Sequence, residues 1–326
     1  MYQIDRGIPP WTFTDDQVQR SNTHEKIDEN VYGKTRLAVR PGNTQLYLLR
    51  FLLSVCGLCI LFVYYLFKYL SKYLSWFKPL NPILNMAFNR YHAKILSGGD
   101  VKKIVTLDED ISAISEKNKK IVPFKYAYNI LFQSPEYIVV VDCPCKKTLN
   151  APPDTINSCL CVGSGTGAFW LDKLSKKHNA RKISQQEALD MIAHYRKLGY
   201  INQAFFKVAT GGSTGVICNC HLDTCVSLQA TKFAKKFDKD FTMSVYSGYS
   251  IRHDETRCKK CGTCASVCHF EGITVVPEKS WSYNKENCTG CELCVEHCSE
   301  GALSLYQDQS KPLPLDMDLV KSEFAN

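Results

Sequence analysis

The sequence predicts an α+β protein in three parts: a single N-terminal transmembrane helix, a central mixed α/β domain rich in cysteine, and a small C-terminal domain built on two four-cysteine runs. Three observations carry this reading. The first is the pair of runs, Cys258-Lys-Lys-Cys261-Gly-Thr-Cys264-Ala-Ser-Val-Cys268 and Cys288-Thr-Gly-Cys291-Glu-Leu-Cys294-Val-Glu-His-Cys298, which share one spacing. The second is the apolar stretch from Leu46 to Phe67, whose only charge is Arg50. The third is a further set of cysteines between Cys143 and Cys225, grouped largely in C-x-C pairs.

With 326 residues the chain has room for more than one domain, and 17 cysteines are far above ordinary usage. Met1 to Asp28 shows no apolar run and no small-residue cleavage motif, so no cleavable signal peptide is expected. Free thiols in a reducing compartment, used for metal, are therefore preferred over a disulfide framework. The formal net charge is +8, but the Lys and Arg residues are scattered, which argues against a nucleic-acid partner.

Along the chain, residues 1–44 read as a polar N-terminal arm, with Trp11 and Phe13 as its candidate anchors. Residues 45–77 read as the transmembrane helix and its extension. About 20 apolar residues suffice to span a bilayer; Arg50 near one end can snorkel, and Tyr47, Tyr64, Tyr65, Tyr69, Tyr73 and Trp76 suit the interfaces. Basic residues flank both ends, so the cysteine-rich part, which needs reduced thiols, decides the topology: a single pass with the arm outside and the following domains in the cytoplasm.

Residues 78–249 form the predicted central domain. Asn85–Leu96 reads as helix, Ser97 to Asp100 as a turn, Lys102–Leu107 as strand, Pro123–Phe132 as helix, and Tyr137–Val141 as a buried strand leading to Cys143. Ser184-Gln-Gln-Glu187 is a capping box that opens a helix closed by Gly199. The candidate ligands here are Cys143, Cys145, Cys159, Cys161, Cys218, Cys220 and Cys225, with Asp142 and His221 beside them. Their spacing leaves an iron–sulfur cluster (beyond any held by the two C-terminal runs), zinc and free thiols all open. The glycines of Gly163-Ser-Gly165-Thr-Gly167 lack the flanks of a dinucleotide loop, so no nucleotide is expected.

Residues 250–308 hold the two runs, and 309–326 read as a C-terminal tail. Thiolates two residues apart can wrap an inorganic core, and soft sulfur donors select zinc, copper(I) or iron–sulfur. Two four-cysteine runs in tandem exceed what a zinc knuckle needs. The halves also repeat beyond their cysteines, with Gly272-Ile273-Thr274 after the first run matching Gly301-Ala302-Leu303 after the second. On these motifs the segment resembles the bacterial-type two-cluster 4Fe–4S ferredoxins. The resemblance implies a two-cluster ferredoxin fold in which the fourth cysteine of each run crosses to the other cluster. One ligand set would be Cys258, Cys261, Cys264 and Cys298, and the other Cys288, Cys291, Cys294 and Cys268. The family usually has proline after each fourth cysteine; this chain has His269 and Ser299.

Cys143-Pro144-Cys145-Lys146, Ile183-Ser184-Gln185-Gln186-Glu187-Ala188-Leu189, Gly199-Tyr200-Ile201 and Cys218-Asn219-Cys220-His221 extend the likeness over about 135–308. They resemble ferredoxin-like oxidoreductase subunits of anaerobes that carry CPCR and CNCC motifs, with Lys146 for Arg and His221 for the last Cys. The expected role is a membrane-anchored relay of single electrons through two 4Fe–4S clusters, with a larger redox complex or a soluble carrier as partner. It is read as an electron-transfer subunit rather than a stand-alone enzyme. The alternatives are a reductase whose central cysteine site binds substrate, and a structural or assembly subunit. The acidic residues Glu286, Glu292, Glu296 and Glu300 suggest a docking face.

Overall fold

A computed structural model of the chain describes residues 91–123, 129–207, 214–234 and 242–324. The predicted arm and apolar span lie outside these residues. Among the described residues no helix is long and apolar enough to cross a membrane.

The described chain begins with β1 (Tyr91–Ile95), α1 (Gly98–Val105), β2 (Ile111–Ala113) and β3 (Ile130–Phe132). There follow β4 (Ile138–Asp142), α2 (Pro144–Thr148), α3 (Pro153–Ile156), β5 (Asn157–Val162), α4 (Ser164–His178) and β6 (Arg181–Ile183). The domain closes with α5 (Gln185–Lys197), β7 (Ile201–Lys207), β8 (Val216–Cys220), α6 (Val226–Ala234) and β9 (Ser244–Val245). Among the described residues, seven of these strands make one sheet in the order β6-β4-β5-β8-β7-β1-β9. Neighbours are antiparallel except β1 with β9.

The sheet is buried on both faces, so its strands read as apolar runs rather than as alternation. On one face Val140, Leu160, Ala204, Phe206 and Ile217 pack against Ala188 and Ile192 of α5. On the other, Val139, Val141, Ile201 and Phe205 share a cluster with all seven central cysteines, Trp170 of α4 and Leu228 of α6. Helix α5 starts as its capping residues predict. Ser184 Oγ accepts from the Glu187 amide at 3.1 Å, worth about 1 kcal/mol. The Glu187 carboxylate pairs with Arg181 at 2.6 Å.

Four local expectations fail. Lys102–Leu107 was expected as strand, but most of it lies in α1, where Ser97 Oγ caps the Asp100 amide at 3.0 Å. The Ser-Gly-Gly-Asp read as a turn is a helix start, and Val101, Ile104 and Val105 supply a helical stripe. Residues 91–95 of the expected helix Asn85–Leu96 form β1, disguised because His92 and Lys94 are buried there as well. Ile130–Phe132, at the end of the expected helix Pro123–Phe132, is β3, paired with β2.

The C-terminal part comprises β10 (Tyr249–His253), α7 (Thr263–Ser266), β11 (Ile273–Val276), β12 (Ser280–Tyr283), α8 (Leu293–Glu296) and β13 (Leu303–Gln307). Two antiparallel pairs, β10 with β13 and β11 with β12, frame the cysteine loops. The terminal residues are no free tail. Leu315, Met317, Val320 and Phe324 are buried in the same core as Leu160 and Ile217. Lys94 Nζ donates to the Leu313 carbonyl at 2.7 Å, and Lys103 of α1 pairs with Asp316 at 2.8 Å and Asp318 at 2.6 Å.

Gly248 marks where this terminal strap passes closest. Its φ is +106°, and a Cβ there would lie 2.6 Å from Pro314 N. Gly199 also has positive φ, but a Cβ on it would meet nothing within 4 Å. Gly248→Ala should therefore cost about 2–3 kcal/mol and Gly199→Ala only about 1. Equal losses in denaturant midpoint for the two variants would show that the strap yields at Gly248.

Candidate metal centres

The duplicated loops shape two hollows. One is lined by Cys258, Cys261, Cys264 and Cys298, together with Lys259 and Trp281. The other is lined by Cys288, Cys291, Cys294 and Cys268, together with His269, Phe270 and Leu293. Each hollow thus takes three cysteines from one run and the last cysteine of the other. The loops curl through the left-handed region at equivalent places: Lys260 (φ 54°) and Gly262 (φ 86°) in the first, Gly290 (φ 72°) and Glu292 (φ 72°) in the second. Short helices α7 and α8 then carry the fourth cysteine away from its own run.

Backbone amides point at the sulfurs. Gly272 N donates to Cys268 Sγ at 3.2 Å, Ala302 N to Cys298 Sγ at 3.3 Å, and Lys260 N to Cys258 Sγ at 3.4 Å. Such bonds stabilise thiolate charge and are among the features that tune iron–sulfur potentials. Trp281 supplies a further test of fit. Its ring stacks on His253 at 3.8 Å, yet its buried Nε1 has no hydrogen-bond acceptor in ordinary geometry. It faces Cys264, whose thiol burial pushes up while the indole N–H acts the other way. A thiolate at Cys264 or an inorganic sulfide in the hollow would accept from this N–H more strongly than the neutral thiol does. The residues fit an iron–sulfur group.

The hollows differ in wetness. Cys261 is exposed, and the Thr263 hydroxyl lowers its pKa. Burial pushes the Cys291 thiol up to about 12, and Cys294 is pushed up by the same cause. Ligation as thiolate releases thiol protons at both hollows. Two cations meet the rim of the Cys291 hollow, the inner one, through backbone carbonyls. Arg196 donates to Cys291 O at 2.8 Å, and Lys311 to Cys288 O at 2.8 Å and Ser250 Oγ at 2.8 Å. Neither stands out in the sequence, where each is one basic residue among many.

Most of the acidic residues expected as a docking face are engaged within the chain. Glu292 accepts from the Gly98 amide at the start of α1 at 2.7 Å, Glu296 pairs with Arg196 at 2.7 Å, and Glu300 with Lys259 at 2.9 Å. His269, in the place of the usual proline, has a role proline cannot fill. Its Nε2 bonds the Gly199 carbonyl at 2.7 Å, and its ring meets His221 edge-on at 4.8 Å.

The central cysteines gather beneath the sheet. Cys159 of β5 lies opposite Cys218 of β8, with their sulfurs 3.1 Å apart. Cys143 also contacts Cys145 and Cys159, and Cys220 contacts Cys218 and Cys225. Six sulfurs thus form one group, in which Cys145 also faces Cys220 and Cys225, while Cys161 sits one pleat away opposite Val139 and Val216. Hydrogen bonds from its neighbours, Cys145 first, hold Cys143 well below the usual thiol range; the Cys143 contact pushes Cys145 well above it. Asp142 is committed to Asn157, Asn179 and Lys147. His221 Nδ1 accepts from the Asp223 amide at 3.3 Å. Among the described residues, no three His, Cys, Asp or Glu side chains converge as one bound ion requires. The eight cysteines around the hollows do not converge in that way either, since a cubane is wider than an ion.

Residues 257–302 match the family described as 4Fe-4S dicluster domain. No curated protein matches the chain. The C-terminal segment is a ferredoxin-like iron–sulfur domain, with a role in electron transfer. Two potentiometric outcomes follow from the contacts above. Trp281→Phe should move the midpoint of the group at the outer hollow to more negative values, and Lys311→Met should do so at the inner one, because each removes a stabiliser of the reduced, more anionic state. Unchanged midpoints would show that neither side chain senses the charge.

Proposed function

We propose that this chain is a membrane-anchored electron-transfer subunit, relaying single electrons through two 4Fe–4S clusters to or from a larger redox complex or a soluble carrier. The observation that carries the reading is the crossed lining: each hollow draws three cysteines from one run and the fourth from the other. Crossing makes the two sites one folding unit and keeps their cores close. A cubane supplies one-electron chemistry with no bond to make or break. The residues of this chain do the rest. Cys258, Cys261, Cys264 and Cys298 hold the outer site, near solvent, where a partner can approach. Cys288, Cys291, Cys294 and Cys268 hold the inner site, shielded by Phe270 and Leu293. The apolar run 46–67 supports the tether, and the demand for reduced thiols supports a cytoplasmic face for the clusters.

The test is protein purified without oxygen in detergent, assayed for iron, sulfide and low-temperature EPR after dithionite. Cys268→Ser and Cys288→Ser should lose the same signal, and Cys298→Ser and Cys258→Ser the other, at about four irons each. A Cys268→Ser spectrum that resembles Cys258→Ser instead would break the crossing. Residues 78–326 expressed alone should leave the membrane fraction with their clusters intact. Retention after carbonate washing would refute the tether.

A further inference from the structure

We infer that the buried thiols of the central sheet hold a third iron–sulfur cluster, of the 4Fe–4S class, in electron-transfer contact with the inner ferredoxin site. This rests on the two-cluster reading above and extends it. Six sulfurs from four separate segments meet on one sheet face: Cys143 and Cys145 after β4, Cys159 in β5, Cys218 and Cys220 in β8, and Cys225 before α6. Core packing has no use for so many thiols at one point when Val, Ala or Leu would fill the space. The six sulfurs close on one another, Cys145 also facing Cys220 and Cys225, and six thiols at one point exceed the four donors a single zinc ion takes, as a polynuclear core allows.

A second observation points independently to an anionic ligand. Lys146 follows Cys145 and is only 1 % exposed. Its Nζ donates to the Thr155 carbonyl at 2.9 Å and the Ser158 hydroxyl at 2.8 Å. It also lies over the faces of Tyr195 at 4.6 Å and Tyr200 at 4.5 Å. All four partners are neutral, and no carboxylate among the described residues forms an ion pair with it. A buried ammonium without an anion costs several kcal/mol. Its charge acts on Cys143, so the counter-charge it lacks is one that thiolates around an iron–sulfur core would supply.

The route is continuous. Phe270 and Leu293, which line the inner hollow, belong to the same apolar cluster as the central cysteines, and Cys291 packs against it. One electron leaves the inner core, which is oxidised, and enters the central core, which is reduced. No bond breaks and no proton is required.

The experiment uses the full chain in detergent, purified without oxygen, with dithionite as reductant. About twelve irons per chain are expected, falling to about eight in Cys143→Ser/Cys145→Ser and in Cys220→Ser/Cys225→Ser with the ferredoxin signals kept. In case those variants fail to fold, Lys146→Gln should move the midpoint of the additional signal to more negative values, and Lys146→Arg should restore it. Eight irons in the unaltered chain, or zinc in place of the last four, would overturn the third cluster and leave the relay standing. Near-zero iron would sink both.

Discussion

Arg196 determines how the sheet domain and the cluster domain meet. It sits in the last turn of α5 with 3 % of its side chain exposed, and its planar fork serves three elements at once. It reaches Glu296 of α8, Asn202 Oδ1 at the start of β7 (2.9 Å), and the carbonyl of Cys291. A buried ion pair is weak support for stability, because desolvation offsets most of the attraction. Its value here is geometric, since five fixed donors accept few alternative dockings. The helix end beside it is satisfied in the same way. The last carbonyls of a helix lack intrahelical donors, and here His297 Nε2 meets Lys197 O at 3.3 Å while His269 meets Gly199 O. Each histidine is the immediate neighbour of a run's fourth cysteine. The neighbours of the two crossing cysteines therefore fasten those sites to the C-terminal end of α5 and the turn after it.

Around the sulfur sites several cations act through neutral groups. Lys311 and Arg196 reach the inner site by way of backbone carbonyls, and Lys146 stands among hydroxyl, carbonyl and ring faces. At the rim of the cysteine loops the carboxylates Glu296 and Glu300 pair with Arg196 and Lys259. A carboxylate placed directly against a cluster would oppose its reduction. The arrangement lets anionic sulfur groups sit in apolar surroundings at tolerable cost.

What was legible in the sequence was whatever the chemistry ties to spacing. The runs from Cys258 to Cys298 repeat a gap that a metal core imposes, and Ser184, Glu187 and Gly199 mark α5 through local hydrogen bonds and backbone sign. What was not legible depends on distant partners. Lys94 and His92 hide β1, because only the folded core shows that polar side chains there are buried. The Gly-Gly after Ser97 conceals α1, whose start is held in part by Glu292 from far along the chain. Arg196 and Lys311 look like surface cations until the domain that surrounds them is in place.

The strap after β13 changes what kind of object the cluster domain is. The chain leaves the sheet domain after β9, builds the cysteine loops, and returns so that Leu315, Met317, Val320 and Phe324 complete the first core. The cluster domain is thus an insertion clamped at both ends, not an appendage on a hinge. The strap follows the cysteine loops in the chain, so the core of the sheet domain is completed only after those loops have been made. The cysteine loops are thus held by the rigidity of their host and not carried on a swinging arm.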